Sequence, residues 1–349
     1  MPSVAPDDLE RITTALLVAS GVPEDEAGIV AGNLVSSNLA GHDSHGVMRL
    51  PQYLVAIENG SINPGARVEC VRETPTTAVL DANWGFGQVA AHHATEIAIE
   101  KAREYHLAAV AVRRSKHVGG LGSYVEAIAA DGMIGLMFVN GHGGGSYMPP
   151  WGGAEARLCT NPLAAGFPTG DEPIVLDIST TAVAEGKVRT YRIRGEEVPD
   201  LWLVDSEGRP TNDPNVLYEK PSGAILPLGG NVGYKGFGLG MMVDLLAGGL
   251  SGAGTSGSGK GGGNAFTIMA FDPGAFMGED AFREDADALV SWVKSSRLAP
   301  DFDEILVPGE IERREAARRS AAIPVDGETW GQIVEAAERL HIPTDDLGS

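Results

Sequence analysis

The chain has 349 residues, 43% hydrophobic and 21% charged, which suits a globular protein long enough to hold two domains. A formal charge of −21 excludes a nucleic-acid partner, which asks for a basic face, and disfavours an anionic membrane surface. Two cysteines, Cys70 and Cys159, are too few for a disulfide scaffold and read as reduced. No apolar run is long enough for a membrane span, and acids precede the first one, so the expected compartment is the cytoplasm.

The first sixty residues carry helical periodicity. Leu9, Ile12, Leu16 and Leu17 form one apolar stripe stopped by Gly21, and "PEDEAGIVAGNLVSSNLA" repeats the pattern with acids in its first turn. "SHGVMRLPQYLVAIENG" predicts a third helix with Ser44 as N-cap, Gly60 as stop and a bend at Pro51. Near residue 65 the character changes. "TTAVLDA", "LAAVAVR", "GMIGLMFVN" and "PIVLDIS" are short apolar runs bounded by turn residues, which predicts strands. "GQVAAHHATEIAIEKAREYH", "SYVEAIAADG" and "YKGFGLGMMVDLLAGGL" have helical spacing, and "NAFTIMAFDPGAF" closes the mixed part. Helical patterns return in "EDAFREDADALVSWVKSSR", "PGEIERREAARRS" and "GETWGQIVEAAERL". The simplest assembly is α/β: a mixed domain at 71–274 inserted in a helical domain built from 1–70 plus 275–349.

Two glycine-rich stretches resemble nucleotide loops and fail on chemistry. "GTSGSGKG" at 254–261 lacks the hydroxyl after Lys260 that would ligate Mg²⁺, and the run before it is not a strand, so an ATP- or GTP-hydrolysing loop is disfavoured. "GFGLG" at 236–240 and "GHGGGS" at 141–146 lack the GxGxxG register of a dinucleotide-binding turn.

"GHDSHGVMRL" at 41–50 holds the chemistry. With Ser44 as N-cap, His45 and Arg49 share a helix face near a helix N-terminus that favours anions. Arginine can hold a carboxylate by a two-pronged grip, and a histidine one turn away can exchange a proton beside it. A polar helix start explains the same spacing. A zinc pair from His42 and His45 finds no second ligand cluster, so no metal is expected. His42 receives no role.

"GHDSHGVMRLPQY", "HVGGLGSY", "CTNPLAAGFP", "PIVLDISTTAVAEGKV", "VDSEGRPTNDP", "GYKGFGLGMMVDLLAGGLSG" and "PGEIERR" follow one another over nearly the whole chain. Together they resemble the malate/L-lactate dehydrogenase family of the second type, which is unrelated to the Rossmann lactate dehydrogenases. That family includes oxidoreductases of malate, sulfolactate, ureidoglycolate, diketogulonate and cyclic imino acids such as piperideine-2-carboxylate. The resemblance implies a non-Rossmann fold binding NAD or NADP, a homodimer, and a small carboxylate substrate. It implies His45 as general acid/base, Ser44 orienting it, Asp177 as third member of that relay, and Arg49 on the substrate carboxylate. It implies His117 lining the substrate and cofactor site. Cofactor contacts would come from Gly119, Gly120, Gly122, Thr160, Asn161, Asp177, Ser179, Lys235, Gly236, Glu310 and Arg313. For Arg313 a solvated helix face is the competing reading, and Lys187 is expected to be structural or near a phosphate. The implied reaction is hydride transfer to C2 of a 2-oxo acid, or its reverse. The alternative keeps the machinery and reduces a cyclic or N-alkyl 2-imino acid. A non-catalytic protein on the same fold is disfavoured because Ser44, His45 and Asp177 are all present.

Overall fold

The computed structural model describes residues 2–143, 145–258 and 261–343, so Lys260 of the near phosphate-loop motif lies outside the described residues. A short strand, β1 (Ser3–Val4), leads into α1 (Pro6–Ala19) and α2 (Glu24–Leu39). Pro6 opens α1, where its missing N–H has no intrahelical partner to lose, and Glu24, Asp25 and Glu26 sit at the N-terminus of α2, where the helix dipole favours them. The third helix, α3, spans Leu50–Glu58. It does not start at Ser44. Asp43–His45 and Val47–Arg49 are two single 3-10 turns parted by an extended Gly46, and Pro51 sits in the first turn of α3. Proline is at home there and would break a helix that began seven residues earlier.

Next come β2 (Glu69–Glu73), β3 (Thr77–Asp81), α4 (Gly87–Tyr105), β4 (Leu107–Ser115), α5 (Gly122–Ala130) and β5 (Ile134–His142). They are followed by β6 (Leu163–Phe167), β7 (Ile174–Ile178), α6 (Glu185–Arg194), β8 (Leu203–Val204), β9 (Pro210–Thr211) and β10 (Ala224–Ile225). The chain then forms α7 (Tyr234–Asp244), β11 (Gly263–Phe271), α8 (Glu279–Lys294), α9 (Glu310–Arg319), β12 (Ile323–Pro324) and α10 (Gly327–Arg339). Seven strands make one mixed sheet in the order β2–β3–β4–β11–β5–β6–β7, with β3 and β4 parallel and the other neighbours antiparallel. The alanines of α4 (Ala90, Ala91, Ala94, Ala98 and Ala102) are buried against Val110, Val112, Phe266 and Ile268 of the sheet. Their small side chains let helix and sheet approach closely.

A second core joins the chain ends. Leu9, Leu16, Val30, Leu34 and Tyr53 pack with Val325, Ile333, Ala336 and Ala337, and β1 pairs antiparallel with β12. Truncating a fully buried leucine to alanine in such a core costs about 2–5 kcal/mol. A small sheet of β8, β9 and β10 packs its Leu203 and Ile225 on Val188 of α6. No helix among the described residues is long and apolar enough to cross a membrane.

Candidate active site

The loop after α2 is held from both sides. Asn38 accepts the Val47 N–H at 2.8 Å and donates to Asp43 Oδ1 at 2.7 Å. A Cβ on Gly46 would lie 2.2 Å from Asn38 Oδ1, so glycine is needed for the loop to fold back onto that side chain. Arg319, buried on α9, reaches Asp43 at 2.6 and 3.2 Å and the Asn38 carbonyl at 2.7 Å. The acid in "GHDSHG" therefore anchors the loop to α9 through a forked, charge-assisted pair.

That anchor presents His45. Its Nδ1 lies 3.1 Å from Ser44 Oγ, and its ring stacks on His117 with centroids 5.6 Å apart at 16°. Beneath His117, the Tyr53 hydroxyl of α3 lies 2.7 Å from His117 Nδ1 and accepts a hydrogen bond from Gln88 Nε2 of α4 at 2.8 Å. With its oxygen accepting from Gln88, the phenol is left to donate to Nδ1, which sets His117 as the Nε2–H tautomer. Arg49 Nε donates to the Ser44 carbonyl at 2.7 Å and Nη1 to Gln52 at 3.1 Å. Its Nη2 makes no hydrogen bond among the described residues. His45 and Arg49 thus meet because the arginine folds back over the 3-10 turns, and not by the expected spacing along one α-helix.

Burial, reinforced by the Arg49 cation, lowers the His45 pKa to about 3. Burial and then Arg49 hold His117 well below the ordinary histidine range as well. Both imidazoles are neutral at pH 7. Burial also pushes the Tyr53 phenol up to about 12, so it remains a proton donor.

Next to this cluster, a cavity of about 210 Å³ is lined by Ser37, His42, Gly120, Gly122, Asp177, Glu312 and Arg313, among others. His42 Nε2 lies 3.5 Å from Glu312 Oε1 in it. Asp177 Oδ2 accepts the N–H groups of Leu121 and Gly122 at 2.8 and 2.9 Å, at the N-terminus of α5, and makes no hydrogen bond to Ser44 or His45 among the described residues. Burial raises its pKa while the Gly122 N–H opposes the rise. What packs on Ser44 is α6: a Cβ on Gly186 would lie 2.5 Å from Ser44 Cβ.

The remaining predicted residues scatter. Gly119 and Gly120 are small because of α2, since added Cβ atoms would lie 2.1 Å from Asn33 Oδ1 and 2.9 Å from Ser37 Oγ. Gly120 and Gly122 do line the cavity. Arg313 lines it too and donates to the Pro173 carbonyl at 2.9 Å, so it is not a solvated helix face; its neighbour Arg314 is exposed and paired with Glu304. Thr160 accepts from Thr180 through its carbonyl at 3.0 Å, and Ser179 Oγ donates to the Thr181 carbonyl at 3.1 Å. The Asn161 side chain is fully buried and donates to Gly240 at 2.9 Å, which ties β6 to α7. Gly236 is buried, with the Leu228 backbone 2.3 Å from where its Cβ would be. Lys235 is exposed beside the Tyr234 ring and Lys187 is exposed on α6, while Glu310 pairs with Lys294 and accepts the Val307 N–H at 2.8 Å. Among the described residues no three His, Cys, Asp or Glu side chains are grouped to hold a metal ion. Tyr53, Gln88 and Arg319 complete the site, and their sequence positions carried no signal beyond helical spacing.

Two stacked, neutral imidazoles thus lie beside an arginine whose Nη2 has no acceptor among the described residues, on a mixed α/β fold. Residues 4–334 match the malate/L-lactate dehydrogenase family model. The chain is 37% identical over 346 residues to the malate dehydrogenase of Pyrococcus abyssi, covering 96% of this chain and 94% of that one. The structure of sulfolactate dehydrogenase from Methanocaldococcus jannaschii superposes with a TM-score of 0.88 at 34% identity over 99% of both chains. That of Δ1-piperideine-2-carboxylate reductase from Pseudomonas syringae superposes with a TM-score of 0.81 at 30% identity, covering 97% of this chain and 100% of that one. The chain is an oxidoreductase. It belongs to the malate/L-lactate dehydrogenase family.

Proposed function

We propose that the protein transfers a hydride between a nicotinamide dinucleotide, NAD or NADP, and C2 of a small 2-oxo or 2-hydroxy acid. The observation that carries this reading is the juxtaposition of neutral, stacked His45 with an Arg49 whose Nη2 has no protein acceptor. Arg49 grips the carboxylate next to C2. His45, oriented through Nδ1 by Ser44, presents Nε2 to the oxygen on C2: it takes the alcohol proton in oxidation and returns one in reduction. His117, fixed by Tyr53 as an Nε2–H donor, holds the same oxygen or the carboxylate. A bound dinucleotide would supply or accept the hydride. Its fit is supported by the cavity that His42 of the same loop lines, where carboxylates of Glu126, Asp177 and Glu312 offer acceptors to ribose hydroxyls and Arg313 offers a cation. Of the expected cofactor residues, Gly120, Gly122, Asp177 and Arg313 line this cavity; Thr160, Ser179 and Lys235 belong to the same proposed cofactor path.

Reaction with NADH deuterated at the transferred position of C4 tests the reading. Deuterium at C2 of the hydroxy acid is expected, and protium there would overturn direct hydride transfer. A second reading, reduction of a 2-imino acid by the same residues, is favoured by the fold shared with the Pseudomonas syringae reductase.

The depressed His45 pKa gives a signed expectation. The base form in the free enzyme is lost only as pH falls through about 3, not through the ordinary 6.5. The kcat/KM for hydroxy-acid oxidation should therefore stay flat on the acid side from pH 8 to 5; a limb near 6.5 would contradict the burial argument. Tyr53→Phe keeps the ring against Phe86 and removes both the bond to His117 and the acceptor of the buried Gln88 amide. It should lower kcat by about 2- to 12-fold, the worth of one neutral hydrogen bond, and should also lower Tm, because the buried Gln88 amide loses its acceptor. Full kcat with a depressed Tm would make Tyr53 purely structural.

This reading also takes 1–70 with 275–349 as one domain around 71–274, a homodimer, and a cytoplasmic location. Leu289, Trp292 and Val293 lie exposed along one face of α8, an apolar strip that a second copy would cover. Sedimentation velocity would show the dimer; a monomer at micromolar concentration would count against it.

A further inference from the structure

Arg189 sits on α6, three residues after Gly186, whose position packs on Ser44. Residues three apart share a helix face, so Arg189 lies on the side of α6 turned to the His45–Arg49 loop. Its Nε is buried and has no hydrogen-bond partner. Among the described residues no carboxylate pairs with it, in a chain carrying 47 acids. Its neighbours on α6 are engaged: Glu185 accepts the Tyr218 hydroxyl at 2.7 Å, and Arg192 stacks on Tyr218 at 4.2 Å and donates to Asn215 at 3.2 Å. Arg189 is also close enough to repel the Arg49 cation, and Tyr147 feels both. Glu185 is the one carboxylate that both Arg49 and Tyr147 feel, so a single protein charge, already bonded to Tyr218, faces two guanidinium groups, and a ligand anion would relieve the remaining repulsion.

We propose that Arg189 is the specificity-determining residue of this site: it holds a second anionic group of the substrate, carboxylate or sulfonate, while Arg49 holds the carboxylate beside the reacting carbon. The favoured substrates are then short 2-oxo acids with an anionic tail, over those with a methyl or alkyl tail. This rests on the reading above for the reaction but not for the binding, and the two can be tested apart.

The test compares wild type, Arg189→Met and Arg189→Lys in two assays. Turnover is followed with oxaloacetate, 3-sulfopyruvate and pyruvate, and calorimetry follows binding of succinate and of butyrate, which cannot react. A charged hydrogen bond is worth about 1.5–3 kcal/mol, so Arg189→Met should lower the kcat/KM ratio of the better dianion over pyruvate by roughly 10- to 150-fold. Succinate binding should weaken by a similar factor relative to butyrate, with Arg189→Lys between the two. Whichever dianion shows the larger fall identifies the tail as carboxylate or sulfonate. Equal losses on dianions and pyruvate would make Arg189 a structural residue and overturn the proposal, as would a wild type that handles pyruvate as well as either dianion. If no 2-oxo acid is reduced but succinate still binds in an Arg189-dependent way, the hydride-transfer reading fails and the second anion site stands. If succinate binding does not depend on Arg189 either, both fall.

Discussion

Replacing His45 by alanine is expected to lower kcat by roughly 10²–10⁴-fold, the usual contribution of a placed general acid or base. The imidazole is the only group of the cluster held by both a Ser44 contact and the stack on His117, and the change leaves the Asn38–Asp43–Arg319 anchor untouched. Dinucleotide affinity should therefore stay nearly unchanged, because the cavity residues Gly120, Asp177 and Arg313 are not altered. Stopped-flow binding of NADH beside steady-state kinetics checks both. A comparable loss in cofactor affinity would mean that His45 supports the pocket rather than the proton transfer.

Arg49→Lys should act on recognition, raising KM for the acid substrate by roughly 10- to 100-fold, because a point charge cannot reproduce the forked grip. Part of the cost is local. Nε also holds the Ser44 carbonyl, so lysine loosens the turn that orients His45. For that reason kcat is expected to fall too, by less than KM rises. An unaffected KM would remove Arg49 from the carboxylate site.

The periodic part of the fold was legible in the sequence. The apolar stripe Leu9, Ile12, Leu16 and Leu17 announces α1, and the runs around Val79, Val110 and Met137 announce strands. What stayed hidden lacked a pattern. The strand β2 is exposed along its whole length, and α6 reads "EGKVRTYRIR" with no apolar stripe, because it packs through Gly186 and Val188 and turns its arginines outward or toward the site. Arg189 was therefore passed over. The motif "GHDSHG" pointed to the loop proposed to react, yet its geometry misled: Pro51 and the Asn38–Gly46 contact break the helix that the spacing predicted. The surroundings of Asp177 were hidden for a similar reason. A carboxylate at the N-terminus of α5 finds two backbone N–H donors, and one sequence does not reveal which acid reaches which donor. Tyr53, 64 residues from His117, and Arg319, 276 residues from Asp43, meet their partners only through the fold.

The reaction proposed for the protein is reduction at C2 beside a held carboxylate. Its most direct test is absorbance at 340 nm with NADH and NADPH in separate wells. The panel consists of 2-oxo acids, pyruvate with methylamine, and Δ1-piperideine-2-carboxylate. Oxidation of one dinucleotide by 2-oxo acids without added amine is the predicted result, and it also names the cofactor. Oxidation only where a C=N bond can form, or none across the panel, would contradict it.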